Sequence, residues 1–208
     1  MSVTTADPSK AYLWLTGDAY RAPADTALPT GDLLKEKIAG WDAFGGIEAG
    51  FEQTSEQSVT EKQVFNYRKA PYKIARDPLK EGIKFRAVDY TKATLLTRAQ
   101  GGKIVKLGEK RYAIETGIGE EFALLIRVED GDDAAFFYCP RVTLKAPAVK
   151  AAIDGQNIDS WEFDFAFLSP MVEIIPELPE GMTAEPETAS GGSSASPARS
   201  TGAGSVSS

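Results

Sequence analysis

Glu162 and Asp164, two carboxylates one residue apart, are the residues whose type and spacing come nearest to chemistry. A pair of acids on one strand face could hold a metal ion or serve hydrolysis, which needs carboxyl groups about 5–10 Å apart in a cleft. Strands with one wet face carry acids routinely, so a solvated face is the favoured reading of this pair. Asp130, Asp132 and Asp133 hint at calcium, but the EF-hand spacing is missing and a hairpin tip explains them. Glu120 and Glu121 read as surface acids. Cys139 stands among aromatics beside Pro140, the setting of a buried, inert thiol. The pairs Gly45-Gly46 and Gly101-Gly102 lack the lysine of a phosphate-binding loop. Histidine is absent altogether, which removes the commonest general base and metal ligand. No catalytic, cofactor-binding or metal-ligating residue is expected, and no cofactor.

The element that positions Glu162 and Asp164 is the stretch 161–168. Trp161, Phe163, Phe165 and Phe167 alternate with Glu162, Asp164 and Ala166, so a strand places four rings on one face and the acids on the other. Four rings need a covering layer, which predicts a sandwich or barrel. Further strands are expected at 12–15, 83–87, 103–107, 111–116, 122–128 and 134–138. Asp130-Gly131 and Asp154-Gly155 supply turns. The Pro- and Gly-rich stretch 17–29 reads as an ordered loop, and 31–40 as a short helix. One firmer helix is expected over 90–100, capped by Asp89, stopped by Gly101-Gly102 and burying Leu95, Leu96 and Ala99. Gln63 to Ala70 alternates, and the polar span 48–75 reads as a long hairpin or arm projecting from the body.

The chain has 208 residues, enough for one domain that buries roughly 70% of its unfolded surface without cross-links. Its single cysteine permits no internal disulfide. A net charge of −7 argues against holding nucleic acid by charge attraction. The opening residues lack a signal-peptide layout, and no apolar run is long enough to span a bilayer. The expectation is a soluble protein without membrane insertion, made in the cytoplasm. Beyond Ile175 aromatic residues disappear, so the division expected is a β domain over 1–175 and a flexible Pro/Ser/Gly-rich tail over 176–208.

With those elements in place, the chain resembles the major tail (tail tube) proteins of long-tailed phages, particularly those infecting actinobacteria. The likeness rests on Gly17 to Pro29, on Gly40-Trp41 with Phe44-Gly45-Gly46-Ile47, and on the strand-to-helix stretch from Phe85 to Gly101. The Arg141 strand and the run from Trp161 to Phe167 complete it. The resemblance implies a mainly β, antiparallel β-sandwich or barrel with one flanking α-helix, acting as a structural virion protein and not an enzyme. It also implies hexameric rings stacked around a tape-measure protein, contacts with tail terminator and distal tail proteins, and a conduit through which DNA passes without specific binding. Assembly would take place in the host cytoplasm, and the product would reside in the virion tail.

Two sets of residues follow as expectations. Glu56, Gln63, Phe65, Tyr67 and Arg68 are the arm residues expected to reach a neighbouring subunit. Glu120, Glu121, Glu162 and Asp164 are candidates for facing the channel, where like charge would keep DNA from adhering. The rival reading is a β-sandwich binding module, such as a capsid decoration or receptor-binding domain.

Overall fold

The computed structural model describes residues 7–29, 33–34, 37–67, 69–179 and 181–184. The chain divides into a body, Met1–Pro176, and a C-terminal stretch, Glu177–Ser208. Of the expected flexible tail, only 176–179 and 181–184 are described. They form no strand or helix beyond a turn in which Met182 N–H donates to Pro179 O.

The body is built from antiparallel strands. In chain order they are β1 (Thr16–Pro23), β2 (Asp42–Ala43), β3 (Ile47–Glu56), β4 (Val59–Lys62), β5 (Lys73–Arg76) and β6 (Lys80–Ala87). After helix α1 (Lys92–Ala99) come β7 (Lys103–Gly108), β8 (Arg111–Glu115), β9 (Phe122–Asp130), β10 (Asp133–Leu144), β11 (Val149–Lys150), β12 (Trp161–Phe167) and β13 (Val172–Ile174). The main sheet runs β2-β1-β9-β10-β12-β6-β3, with β11 on β12 and β13 on β10. Two further pairs, β4-β5 and β7-β8, form small sheets of their own.

Strand β9 anchors the body because both of its faces are covered. Phe122, Leu124, Ile126 and Val128 point into one core, with Phe163, Phe165, Phe85 and Phe44. Ala123 and Leu125 point the other way, into a second core with Tyr20, Trp41 and Tyr138. The rings of Phe44, Phe85, Phe163 and Phe165 meet mostly edge-to-face or tilted at 5.1–6.4 Å, the spacing that aromatic quadrupoles favour. Strand β12 alternates as its sequence dictates, with Trp161, Phe163 and Phe165 buried and Glu162 and Asp164 half-buried on the other face. Proline 140 cannot donate a ladder hydrogen bond, and the register slips between Cys139 and Val142. Before the slip β10 pairs with β9 and β13; after it, Val142–Leu144 pairs with β12. The bend therefore carries one strand into both parts of the sheet.

Several expectations shift. The first strand is Thr16–Pro23, nearly all of it in the stretch 17–29 read as a loop, while 12–15 is irregular. Pro23 is tolerated because it ends the strand, and Ala19, Tyr20, Arg21 and Ala22 are buried there. The helix is Lys92–Ala99 and its N-cap is Thr91, whose Oγ1 accepts from Thr94 N–H at 3.3 Å. Asp89 serves elsewhere: its carboxylate accepts the Gly46 N–H at 2.8 Å. The helix buries Ala93, Thr94, Thr97 and Ala99, leaving Leu95 and Leu96 half-buried, because small side chains let it sit close to the strands. The short helix read over 31–40 falls partly outside the described residues; Leu33 and Leu34 lie in a turn, and Ile38 is buried. Gln63 to Tyr67 forms a turn with one bridge between Val64 and Tyr67, and Lys69 and Ala70 lie in a bend, so the alternation there does not make a strand.

Candidate assembly surfaces

The expected arm 48–75 divides in two. Glu48–Glu56 belongs to β3, which pairs with β6 in the main sheet from Ile47↔Ala87 to Glu56↔Lys80. Beyond Glu56 the chain leaves the main sheet, and among the described residues β4 and β5 pair only with each other, every residue of both exposed. The hairpin is closed by Tyr72 N–H on Lys62 O at 2.8 Å and Asp77 N–H on Ser58 O at 3.0 Å. At its tip Tyr67 and Tyr72 meet edge-on at 6.2 Å. Glu56 stands at the base of the hairpin, and Gln63, Phe65 and Tyr67 are exposed near the tip. Arg68 lies outside the described residues.

The second surface is the seam where the main sheet ends. Among the described residues strand β3 pairs only with β6, yet it curls toward β1. Phe51 lies so near Gly17 that a Cβ there would come within 2.8 Å of the ring, so the two strands approach on side chains without forming a ladder. Ala49 at φ 63° and Gly50 at φ 77° form the bulge that slips the β3–β6 register between Glu48 and Phe51. A cleft of about 640 Å³ opens along the seam, lined by Trp14, Gly17, Ile47, Phe51, Ile126 and Val128 among others. A strand edge with unused N–H and C=O groups beside an apolar cleft is a site for pairing with another chain.

The four acids expected to face a channel occupy two separate places. Glu162 and Asp164 lie on the outer face of β12, opposite Arg86 and Lys84 of β6, which in turn face Glu48 and Glu52 of β3. The result is a ladder in which acid, base and acid alternate across three strands. Glu162 bonds Lys84 at 2.8 Å and Arg86 at 2.9 Å, and those contacts, Lys84's first, hold its carboxyl below the usual carboxylate range. Glu120 and Glu121 sit instead where the chain enters β9. Glu120 pairs with buried Arg21 at 2.7 Å, and Glu121 pairs with Arg141. Three of the four acids are thus matched by cations of their own chain. Asp164 keeps one carboxylate oxygen buried without a hydrogen bond.

Cys139 is buried and its thiol contacts Arg141 O and Ser169 O, each at 3.3 Å. Among the described residues no three acids or Cys converge as a metal site, and no helix is long and apolar enough to cross a membrane.

What the sequence reading missed is the independence of β7-β8. It read two short strands there without seeing that they stand apart from the main sheet. The signal was present in the paired glycines on either side, Gly101-Gly102 before and Gly117 with Gly119 after, which bracket the hairpin at its root.

No curated protein sequence matches this chain. Among solved structures it is similar to Hcp1 from Salmonella typhimurium, with 9% sequence identity over 76% of this chain and 93% of that chain, at a TM-score of 0.30. The family model described as "Phage tail tube protein" matches residues 4–158, which takes in every strand from β1 to β11 and the helix. The chain belongs to the phage tail tube protein family.

Proposed function

We propose that the chain is the repeating subunit of a tail tube, joining copies of itself into stacked rings, six to a ring. The rings would surround a tape-measure protein, meet tail terminator and distal tail proteins at the two ends, and conduct DNA on ejection. Assembly would occur in the host cytoplasm before incorporation into the virion. The observation that carries this reading is the pairing of an incomplete body with exposed hairpins. Strand β3 offers a ten-residue strand with one side unpaired by any ladder, and β4-β5 offers a hairpin with no cover of its own. Free strand edges are a hazard in a monomer, and joining sheets across subunits removes them. A ring needs a contact between two different patches whose rotation closes, and stacking needs another.

The channel role of Glu120, Glu121, Glu162 and Asp164 takes a more specific form under this reading. A lumen of matched ion pairs offers phosphates few free cations and so keeps DNA moving. The Glu162–Arg86–Glu48 ladder supports that role best, since its acids outnumber its bases in each row. Negative-stain microscopy of the purified protein tests the assembly: rings or tubes are expected, and compact single particles at every concentration and salt would overturn it. Deleting 59–76 should leave a folded body that makes no long tubes. Normal tubes from that deletion would remove β4-β5 from the assembly.

A further inference from the structure

The hairpin β7-β8 differs from the rest of the chain in charge as well as in cover. Lys103, Lys106, Lys110 and Arg111 oppose only Glu109 and Glu115 between residues 103 and 115, in a protein whose net charge is −7. Its apolar residues also face water, with Leu107 70% and Tyr112 62% exposed. A two-stranded hairpin open on both faces is marginal by itself. Its root is nevertheless fixed. Gly117 N–H and Gly102 N–H both donate to Ala99 O at 2.8 Å, and a Cβ on Gly102 would fall 1.8 Å from Glu115 O. A rigidly rooted, basic and apolar prong is built to meet a surface.

The surface of matching chemistry stands at the other end of β9. The prong is rooted just before Phe122, and β9 runs nine residues from there to Asp130, roughly 30 Å at about 3.3 Å per residue. At that far end the β9–β10 turn presents Asp130, Asp132 and Asp133. Beside it lies the segment before β1, where Leu13 N–H donates to Asp130 Oδ2 at 3.0 Å and Leu15 N–H to Glu129 O at 2.9 Å. Leu13 and Leu15 are 71% and 68% exposed. Acid and apolar groups together at one end answer basic and apolar groups together at the other.

We infer that β7-β8 of one copy seats on the β9–β10 turn and the Leu13–Leu15 segment of a second copy. The contact joins two different patches at opposite ends of one strand, so it is head-to-tail and can repeat from copy to copy, as stacking requires. It rests on the proposed self-assembly and adds to that reading a second contact, distinct from β4-β5. Sign complementarity between the patches fixes the polarity of the stack, because prong on prong and turn on turn both repel.

The test is a charge swap in the full chain. One variant carries Lys106→Glu, Lys110→Glu and Arg111→Glu; a second carries Asp132→Lys and Asp133→Lys; a third carries all five. Assembly is read by sedimentation against protein concentration, and folding by thermal melting. Each partial variant should need about tenfold more protein, or more, to reach half-assembly, given several close charge pairs reversed at once. The five-fold variant should recover most of that loss. Carbodiimide cross-linking of wild-type assemblies, followed by peptide mapping, should join Lys106 or Lys110 to Asp132 or Asp133 and needs no variant. Wild-type tubes with unchanged assembly in the partial variants, or without that cross-link, would overturn the inference and leave the tube reading standing. Partial variants that assemble normally but lose retention of duplex DNA would reassign the prong to nucleic acid. A wild type that never assembles would remove the reading itself, and the inference with it.

Discussion

Strand β9 and hairpin β7-β8 are separated by six residues of chain, yet they solve opposite problems. In β9 seven consecutive residues, from Phe122 to Val128, are buried, and even Arg127 is matched by Asp18 at 2.5 Å and Glu129 at 3.0 Å. In β7-β8 no residue is buried, and the cationic side chains stand in water. The first region is stable because its own chain covers it. The second is held to the body at its root alone, and its two faces are left open. If the proposed contacts hold, stability and assembly are carried by different residues, and substitutions should separate them.

The largest effect belongs to the body. Phe163 is fully buried and touches the rings of Phe44, Phe85 and Phe165, so Phe163→Ala should cost about 3–5 kcal/mol in a urea melt. A loss under 1 kcal/mol would mean that the aromatic core is not what holds the two parts of the sheet together. Next comes Arg21, which bonds Thr97 at 2.8 Å, pairs with Glu120 and lies 4.2 Å over the Phe122 ring, tying helix to sheet. Glu120 is partly exposed and can return to water, so Arg21→Ala should cost about 2–3 kcal/mol, short of the full penalty for stranding a buried charge. Equal melts for the variant and the wild type would sever that tie.

A smaller and pH-dependent effect falls on Tyr20, in the second core. Burial first, and the Asp18 carboxylate next, push its phenol up to about 12. Unfolded tyrosine ionises near 10, so between about pH 10 and 12 the unfolded state binds fewer protons than the folded one. Stability must then fall as pH rises through that window and level off above it. Lys84 and Lys150, raised by Glu162 and Asp159, and Tyr138, raised by burial, push the same way. The diagnostic is thus the difference: Tyr20→Phe should have a shallower alkaline decline than wild type. Parallel curves would show that Tyr20 is not held neutral by the fold.

How much of this was legible in the sequence follows from the same division. The period-two alternation of Trp161 to Phe167 announced the body because one buried face imposes its pattern, and the near-continuous apolar run of Phe122 to Val128 did so because both of its faces are covered. The Asp130-Gly131 turn was legible for the same kind of local reason. Strand β1 was not. Its glycine and proline mask it, and its strand character comes from eight cross-strand pairs with β9, which no local rule contains. The helix cap moved from Asp89 to Thr91 because the Asp89 carboxylate is engaged by the Gly46 backbone 43 residues away. The acids named for a channel were visible, but not their partners: Lys84 and Arg86 face Glu162 only through the β6–β12 register. Exposed hairpins follow no burial pattern, so no local rule marks them.

The sharpest probe of the comparison has the smallest effect on the body. Gly102 and Gly117 pack so closely at the root of β7-β8 that a methyl on Gly102 meets Glu115 O at 1.8 Å and Gly117 N at 2.6 Å. Those atoms are backbone and cannot swing aside. Gly102→Ala must therefore open the root, while β9 and the aromatic core keep every contact that they make. The unfolding free energy from a urea melt should fall by much less than for Phe163→Ala, because the strained contact lies at the hairpin root and not in the aromatic core. Amide hydrogen exchange across 103–115 should rise to the rate of free peptide. If body and hairpin instead lose protection together, the prong is part of the body's cooperative unit, and the separation between what folds the subunit and what joins it to the next would not hold.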